Sequence, residues 1–234
     1  MTKKKNKPAD SKDNGAETDV TWQATKSARM RTQILDAAIR CFVKLGYSRT
    51  TTTEIAREAG VSRGAMVHHF SNKQQLIKAA VEHLNMKRIN DFKETILASD
   101  PAADHTDQGI DLYWQHLTSP YFVAFHELSV AARTDPELEK ILIPSVKEFE
   151  KEWFQTARQL FPEWEGTGEL FLLAMDITQF LLEGMSINTM FIRNPKRYER
   201  IRNYLKIRLR EILAMGKARS GNTAVDSFLD DSSA

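Results

Sequence analysis

Within this chain of 234 residues, one stretch has side chains ordered for recognisable chemistry. It is TTTEIAREAGVSRGAMVHHFSNKQQL, from Thr51 to Leu76. It reads as two short helices around a tight turn, with a third helix opening at once. That is the pattern of a helix-turn-helix, whose second helix lies in the major groove of DNA. The expected chemistry is recognition, by polar contacts to phosphates and base edges, and not turnover.

The stretch can be read position by position. Thr51-x-x-Glu54 fits a capping box that starts the first helix. Ile55, Ala56 and Ala59 form its inner face at helical spacing. Ala56 must be small, because the two helices cross there. Gly60 sits where the chain turns with a positive φ, which glycine adopts without a Cβ clash. Val61 plugs the turn into the core, and Ser62 can cap a second helix running from Arg63 to about His69. Met66 is that helix's inward anchor. Ser71-x-x-Gln74 matches another capping box, opening the next helix at Lys73. A generic helical hairpin accounts for any one of these signals. It does not account for their coincidence.

Little else points to chemistry. No Ser/His/Asp or Cys/His constellation, glycine-rich phosphate loop or metal cluster stands at a recognisable spacing, so neither an enzyme nor a cofactor is expected. His116 and His126 could still meet in space. The single Cys41 excludes an internal disulfide and a cysteine-based metal site. It falls at helical spacing with Ile34, Ala38 and Leu45, as a buried structural thiol would. An adjacent His68–His69 pair is a poor metal site, because neighbours on a helix point roughly 100° apart.

Charge is divided unevenly. The whole chain is only +2, but residues 1–75 hold 14 Lys/Arg against 7 Asp/Glu, and the remainder 19 against 24. A basic first third on an acidic remainder suits one end meeting phosphates. Lys3, Lys4, Lys5 and Lys7 supply part of the excess and could simply solvate a tail. The Lys-rich start lacks the apolar run of a signal peptide. The most apolar run, Leu170 to Leu182, is interrupted by Asp176 and Gln179 and is too short for a bilayer. A soluble cytoplasmic protein with no membrane role is the expectation.

The elements that must carry the motif are helices. With 41% hydrophobic residues, 10 Gly and 7 Pro, the chain reads as all-α, with about nine helices and no strand. Residues 1–25 are polar and non-periodic, the expectation being a disordered basic tail. Residues 26–75 form the DNA-binding domain, its lead helix running from Ser27 to Leu45 and ended by Gly46. Residues 76–216 form a larger helical domain, and 217–234 a loose tail. A long helix from Lys73 to about Ala98 connects the two domains. Further helices are expected at about 106–118, 121–133, 136–160, 167–192 and 196–215, separated by Ser119-Pro120, Asp135-Pro136, Phe161-Pro162, Gly166 and Asn194-Pro195. Pro144 should kink or split one of them.

The helix at 167–192 is apolar on most of its circumference and must be covered on more than one side. Its own chain or a second subunit could cover it. Phe180, Leu181 and Met185, with Ile201, Tyr204, Leu205 and Ile212 of the last helix, are the candidates for half of a four-helix homodimer interface. Symmetry favours the dimer, since helix-turn-helix proteins commonly bind two half-sites.

This layout resembles the tetracycline-repressor (TetR) family of bacterial transcription regulators. The specific resemblance covers residues 29–76: a lead helix ending in LGY, then the motif above. Met66, His68, His69, Phe70 and Lys73 match the family's usual ending of the motif. Val67 stands where the family usually has a Tyr that helps grip the DNA backbone. FHELSVAARTDPEL (Phe125 to Leu138) also looks like a segment seen in many members.

The resemblance implies a homodimer on a double-stranded DNA operator, with each subunit offering one reading head and a pocket for a small-molecule effector. Effector binding would favour the conformation that holds DNA poorly. Carried over by position, Arg63, Gly64 and Ala65 open the reading helix and face base edges. Arg63 can grip guanine O6 and N7 together, or alternatively hold a phosphate. His68 and His69 would lie near phosphates or bases, unless His69 packs inward. Thr52 and Thr53 would meet the backbone at the start of the first motif helix. Lys73 and its helix start would hold a phosphate, and Lys44, Tyr47 and Arg49 would add backbone contacts. Trp114, Phe122, Phe125, His126, Phe149, Trp153, Met175 and Gln179 are large or polar side chains on apolar helices and are the candidate effector contacts. Their richness in aromatics and Met favours a small hydrophobic effector, such as an acyl chain, sterol or aromatic compound. Two other readings share the same head: a DNA-organising or DNA-protecting protein without an effector, and a carrier of hydrophobic ligands with a vestigial head.

Overall fold

The structure, a computed structural model, describes residues 14–100 and 104–220. Among the described residues there are nine α-helices and no strand: α1 (Asn14–Leu45), α2 (Thr52–Ala59), α3 (Arg63–His69), α4 (Lys73–Leu97), α5 (His105–His116), α6 (Pro120–Ala132), α7 (Pro136–Leu160), α8 (Glu169–Asn188) and α9 (Pro195–Ser220). A single 3₁₀ turn, Pro162–Trp164, joins α7 to α8.

The boundaries follow local chemistry. Ser119 caps α6 and Asp135 caps α7, each with proline at the first helical position, where a missing N–H costs nothing. Gly46 closes α1 with φ +76°. Three expectations need correction. Residues 14–25 are not a disordered tail; they are the first turns of α1, whose polar character offers no apolar face to read. Residues 217–220 likewise belong to α9 and not to a loose tail. The other residues assigned to those tails, 1–13 and 221–234, lie outside the described residues. Pro144 does not split α7, which runs unbroken past it with the proline on an exposed face.

Two apolar cores are stacked along α4. The first holds Ile34, Phe42, Ile55, Met66, Leu76 and Leu84, and it also takes Ala124 and Leu128 of α6 and Leu138 and Leu142 of α7. The second holds Phe92, Ile96, Ile110, Leu160, Trp164, Phe171, Leu182 and Leu205. At about 1.5 Å per residue, the 25 residues of α4 span roughly 37 Å, long enough to serve both. The packing boundary therefore does not fall between residues 75 and 76. It falls inside α4, near the buried Asn85, whose amide donates to the Ser145 carbonyl of α7 at 3.2 Å.

By length and mean hydropathy (20 residues, 1.5), α8 is long and apolar enough to cross a membrane. Here it packs against α5 and α9, with Phe171, Ala174, Leu182 and Met185 buried.

Candidate nucleic-acid interface and ligand cleft

The head is built as its sequence suggests. The Thr51 hydroxyl accepts from Glu54 N–H at 3.1 Å and opens α2. Gly60 turns the chain at φ +65°. The Ser62 hydroxyl accepts from Ala65 N–H at 3.1 Å and opens α3. Ile55, Ala56, Ala59, Met66 and Phe70 are buried, and Val61 packs against the same core. At the next helix the cap is one residue later than Ser71. Asn72 caps α4 by accepting from Gln75 N–H at 2.9 Å, and the Gln75 side chain reaches back to Ser71 N–H at 3.3 Å.

With Met66 and Phe70 inward, helical phase turns the opposite face of α3 to solvent. Arg63, Gly64, Val67 and His68 are exposed on it, Ala65 and His69 are half-buried at its flanks, and Val67 is 52% exposed. A Cβ placed at Gly64 would meet only the Ser62 hydroxyl oxygen, at 3.9 Å, so the fold itself does not require glycine there. His69 packs partly inward, edge-on to His68 with ring centroids 5.4 Å apart. Burial lowers its pKa, helped by His68 and Arg31. Thr53 and Lys73 are exposed and Thr52 half-buried, at the starts of α2 and α4.

Two of the suggested backbone contacts are committed elsewhere. Lys44 pairs with Glu58 at 3.0 Å beside Arg40 at 2.7 Å, and both pairings hold the Glu58 carboxyl below its usual range. Tyr47 is buried, with the Asp135 carboxylate acting on its hydroxyl. Burial, then the Asp135 charge, pushes Tyr47 up to about 12. No sequence signal points to Arg31, exposed on α1 with its guanidinium 4.5 Å from the Phe70 ring, beside α3.

In the body, two adjoining clefts share Phe92, Tyr113, Trp153 and Gln179. The larger is walled by aromatic and aliphatic side chains of α5, α7, α8 and the 3₁₀ turn. The smaller is lined by Arg88, His116, Phe122 and Phe149 as well. Behind the shared wall, the Tyr113 hydroxyl donates to Glu183 Oε1 at 2.9 Å. Burial raises the carboxyl of Glu183, against the opposing pull of Tyr113, Arg88, His126 and Gln179. Burial lowers the pKa of His116, with Asp91 opposing at 3.0 Å.

Known proteins resemble this chain. The sequence signature of bacterial regulatory proteins of the tetR family matches residues 34–80. The transcriptional regulator TtgR of Pseudomonas putida is 49% identical over 55 residues. That match covers 24% of this chain and only 26% of TtgR, about a quarter of the relative's length. Residues 34–80 thus carry a tetR-type head.

The transcriptional regulator CymR of Pseudomonas putida extends the likeness to 185 residues at 23% identity, covering 77% of this chain and 89% of CymR. Among solved structures, the multidrug binding protein EbrR complexed with ethidium superposes with a TM-score of 0.55 at 21% identity, covering 78% of this chain and 98% of EbrR. At that identity the likeness is one of fold.

In the body, the expected effector contacts divide. Phe122, Phe149, Trp153, Met175 and Gln179 line the clefts. The other three do not. Trp114 packs against Tyr198 and Arg202, Phe125 covers the Arg88 guanidinium, and His126 stacks on Phe122. Arg88, Phe92 and Tyr113 line the clefts without having been expected there.

The expected interface residues divide too. Phe180, Leu181 and Tyr204 are exposed, joined on the same two helices by Leu173 and Ile207. Met185 and Leu205 are spent on the chain's own core, Leu205 being 2% exposed, and Ile201 and Ile212 are half-buried against it. Both helices do present an apolar surface, but four of the seven expected residues lie on the inner face.

Proposed function

We propose that this chain is a sequence-specific transcriptional regulator, a repressor that binds a palindromic operator as a homodimer and leaves it when a small hydrophobic effector enters the body. The observation that carries the reading is the division of α3 into a buried face, Met66 and Phe70, and an exposed face, Arg63, Gly64, Val67 and His68. A helix anchored on one side and open on the other can enter a major groove without unfolding.

In this reading Arg63 reads a base, Gly64 and Ala65 let the backbone approach the groove, and Val67, His68 and His69 border the contact. Thr52, Thr53 and Lys73 hold phosphates, the last with the remaining amides of the α4 start. Val67 supplies apolar contact in place of a hydroxyl. The exposed apolar side chains of α8 and α9 support the dimer, because an isologous contact would cover Phe180, Leu181 and Tyr204 on both copies at once.

Selection of binding sites from random duplex DNA with the purified chain tests the proposal. A palindrome with fixed half-site spacing is the expected result. No enrichment at moderate salt would refute sequence-specific binding and leave a ligand carrier.

A further inference from the structure

Arg88 is the charged group in the body whose position is least explained by packing alone. It falls on α4 one turn beyond Leu84 and one turn before Phe92, in the buried register where the two cores meet. Its guanidinium lies 4.0 Å from the Phe125 ring centroid and 4.2 Å from that of Phe149. Rings on α6 and α7 thus cover the guanidinium, leaving its in-plane N–H edge for polar partners. Yet Nη1 is buried and has no hydrogen-bond partner among the described residues.

A buried donor on a charged group is costly to leave unpaired. Glu183 is the acidic side chain acting on Arg88, but it lies beyond ion-pair distance and already accepts from Tyr113. Glu183 also lines neither cleft, whereas Arg88 lines the smaller one. The cleft wall therefore holds a cation with an unpaired donor, Nη1, while the acid acting on it lines neither cleft.

We propose that Arg88 receives the carboxylate of the effector, so that the ligand is an amphipathic acid: a carboxylate on an aromatic or alkyl body. Planar N–H donors match a carboxylate in two parallel hydrogen bonds, approached in the guanidinium plane. The apolar body then extends past Phe92 and Trp153 into the larger cleft. This rests on the effector reading above and narrows it from any hydrophobe to an acid.

The site also lies where a ligand could be felt at the head. Arg88 touches Phe125 of α6, and two residues along the same helix Glu127 accepts a hydrogen bond from Tyr47 N–H in the head at 2.8 Å.

The test is calorimetric titration of the full chain with matched probes: phenylalkanoates and C6–C12 alkanoates, each beside its alcohol and its primary amine. The acids should bind roughly tenfold or more tightly than the alcohols, and the amines most weakly. Arg88→Met should remove the preference for acid while alcohol binding persists. Glu183→Gln, which leaves Arg88 intact, should tighten acid binding by removing a like charge. The wild-type comparison stands even where a variant fails to fold. Alcohols or amines binding as well as the acids would overturn the carboxylate proposal and leave the effector cleft standing. No binding by any probe would overturn both.

Discussion

Tyr47 and Glu127 are 80 residues apart in sequence, yet the Tyr47 backbone N–H donates to Glu127 Oε1 at 2.8 Å. The contact joins the loop after α1, in the head, to α6, in the body. Gly46 is shaped for it: its φ is +76°, and a Cβ there would come within 2.8 Å of the same Glu127 oxygen. The Tyr47 hydroxyl also feels the charge of Asp135, the residue that caps α7. Movement of α6 is thereby passed to the loop between the lead helix and α2.

Glu127→Ala should leave the Tyr47 amide without its charged acceptor and cost about 1–3 kcal/mol of stability. Urea unfolding followed by circular dichroism measures it. In the regulator reading, the variant should also need more effector to leave DNA. A variant with unchanged stability and unchanged effector response would show that this contact couples nothing.

Gly64 gives a separation of folding from binding. Alanine fits the exposed position without a clash and favours a helix, so Gly64→Ala should leave the fold as stable or stabilise it by up to about 1 kcal/mol. The same methyl group would stand on the face assigned to the groove and weaken DNA binding. Thermal melting and fluorescence anisotropy on one preparation give both numbers. Unchanged DNA affinity would remove Gly64 from the contact surface.

Much of the head is legible in the sequence because its signals are local. The Ser62 cap, the Gly60 turn and the buried Met66 all follow from neighbours within four residues. The polar first turns of α1 are not legible, since a helix without an apolar stripe has no period to detect. Nor are the pairs Tyr47–Glu127 and Tyr113–Glu183, whose partners are far apart in sequence. Arg88 leaves one usable sign, a charge set in the buried register between Leu84 and Phe92. On α8 apolar residues lie nearly all round, and on α9 they spread beyond one narrow stripe, so phase alone does not say which face the chain covers itself. Leu205 and Tyr204 are adjacent, but one is buried and the other 59% exposed.

That contrast supplies an oligomer test. Phe180→Glu with Tyr204→Glu should give a folded monomer by sedimentation velocity, because both side chains lie on the outer face. Leu205→Glu should instead disrupt the fold, since an unpaired charge in the core costs roughly several kcal/mol. A double variant that stays dimeric and folded would place the interface elsewhere.

Glu183 predicts a pH dependence. Burial raises its carboxyl above the ordinary value of 4.5, so the folded chain holds that proton more tightly than the unfolded chain does. The resulting stability is full below the ordinary value and is lost as pH rises through the raised one. Glu183→Gln removes the penalty of ionising the group. The Tm of the variant minus that of the wild type should therefore grow from about pH 5 to about pH 8, other groups cancelling in the difference. A constant difference would mean that Glu183 ionises in the folded chain as it does in water.

Whether α3 reads bases is tested most directly by site selection from random duplex DNA, run in parallel on the wild type and Arg63→Ala. The expected result is a palindrome for the wild type and, for the variant, lost preference at one symmetry-related pair of positions, worth about 1–3 kcal/mol each. An identical site from both proteins would contradict the assignment of Arg63, and the absence of any enriched site from the wild type would contradict the reading of α3 as a recognition helix.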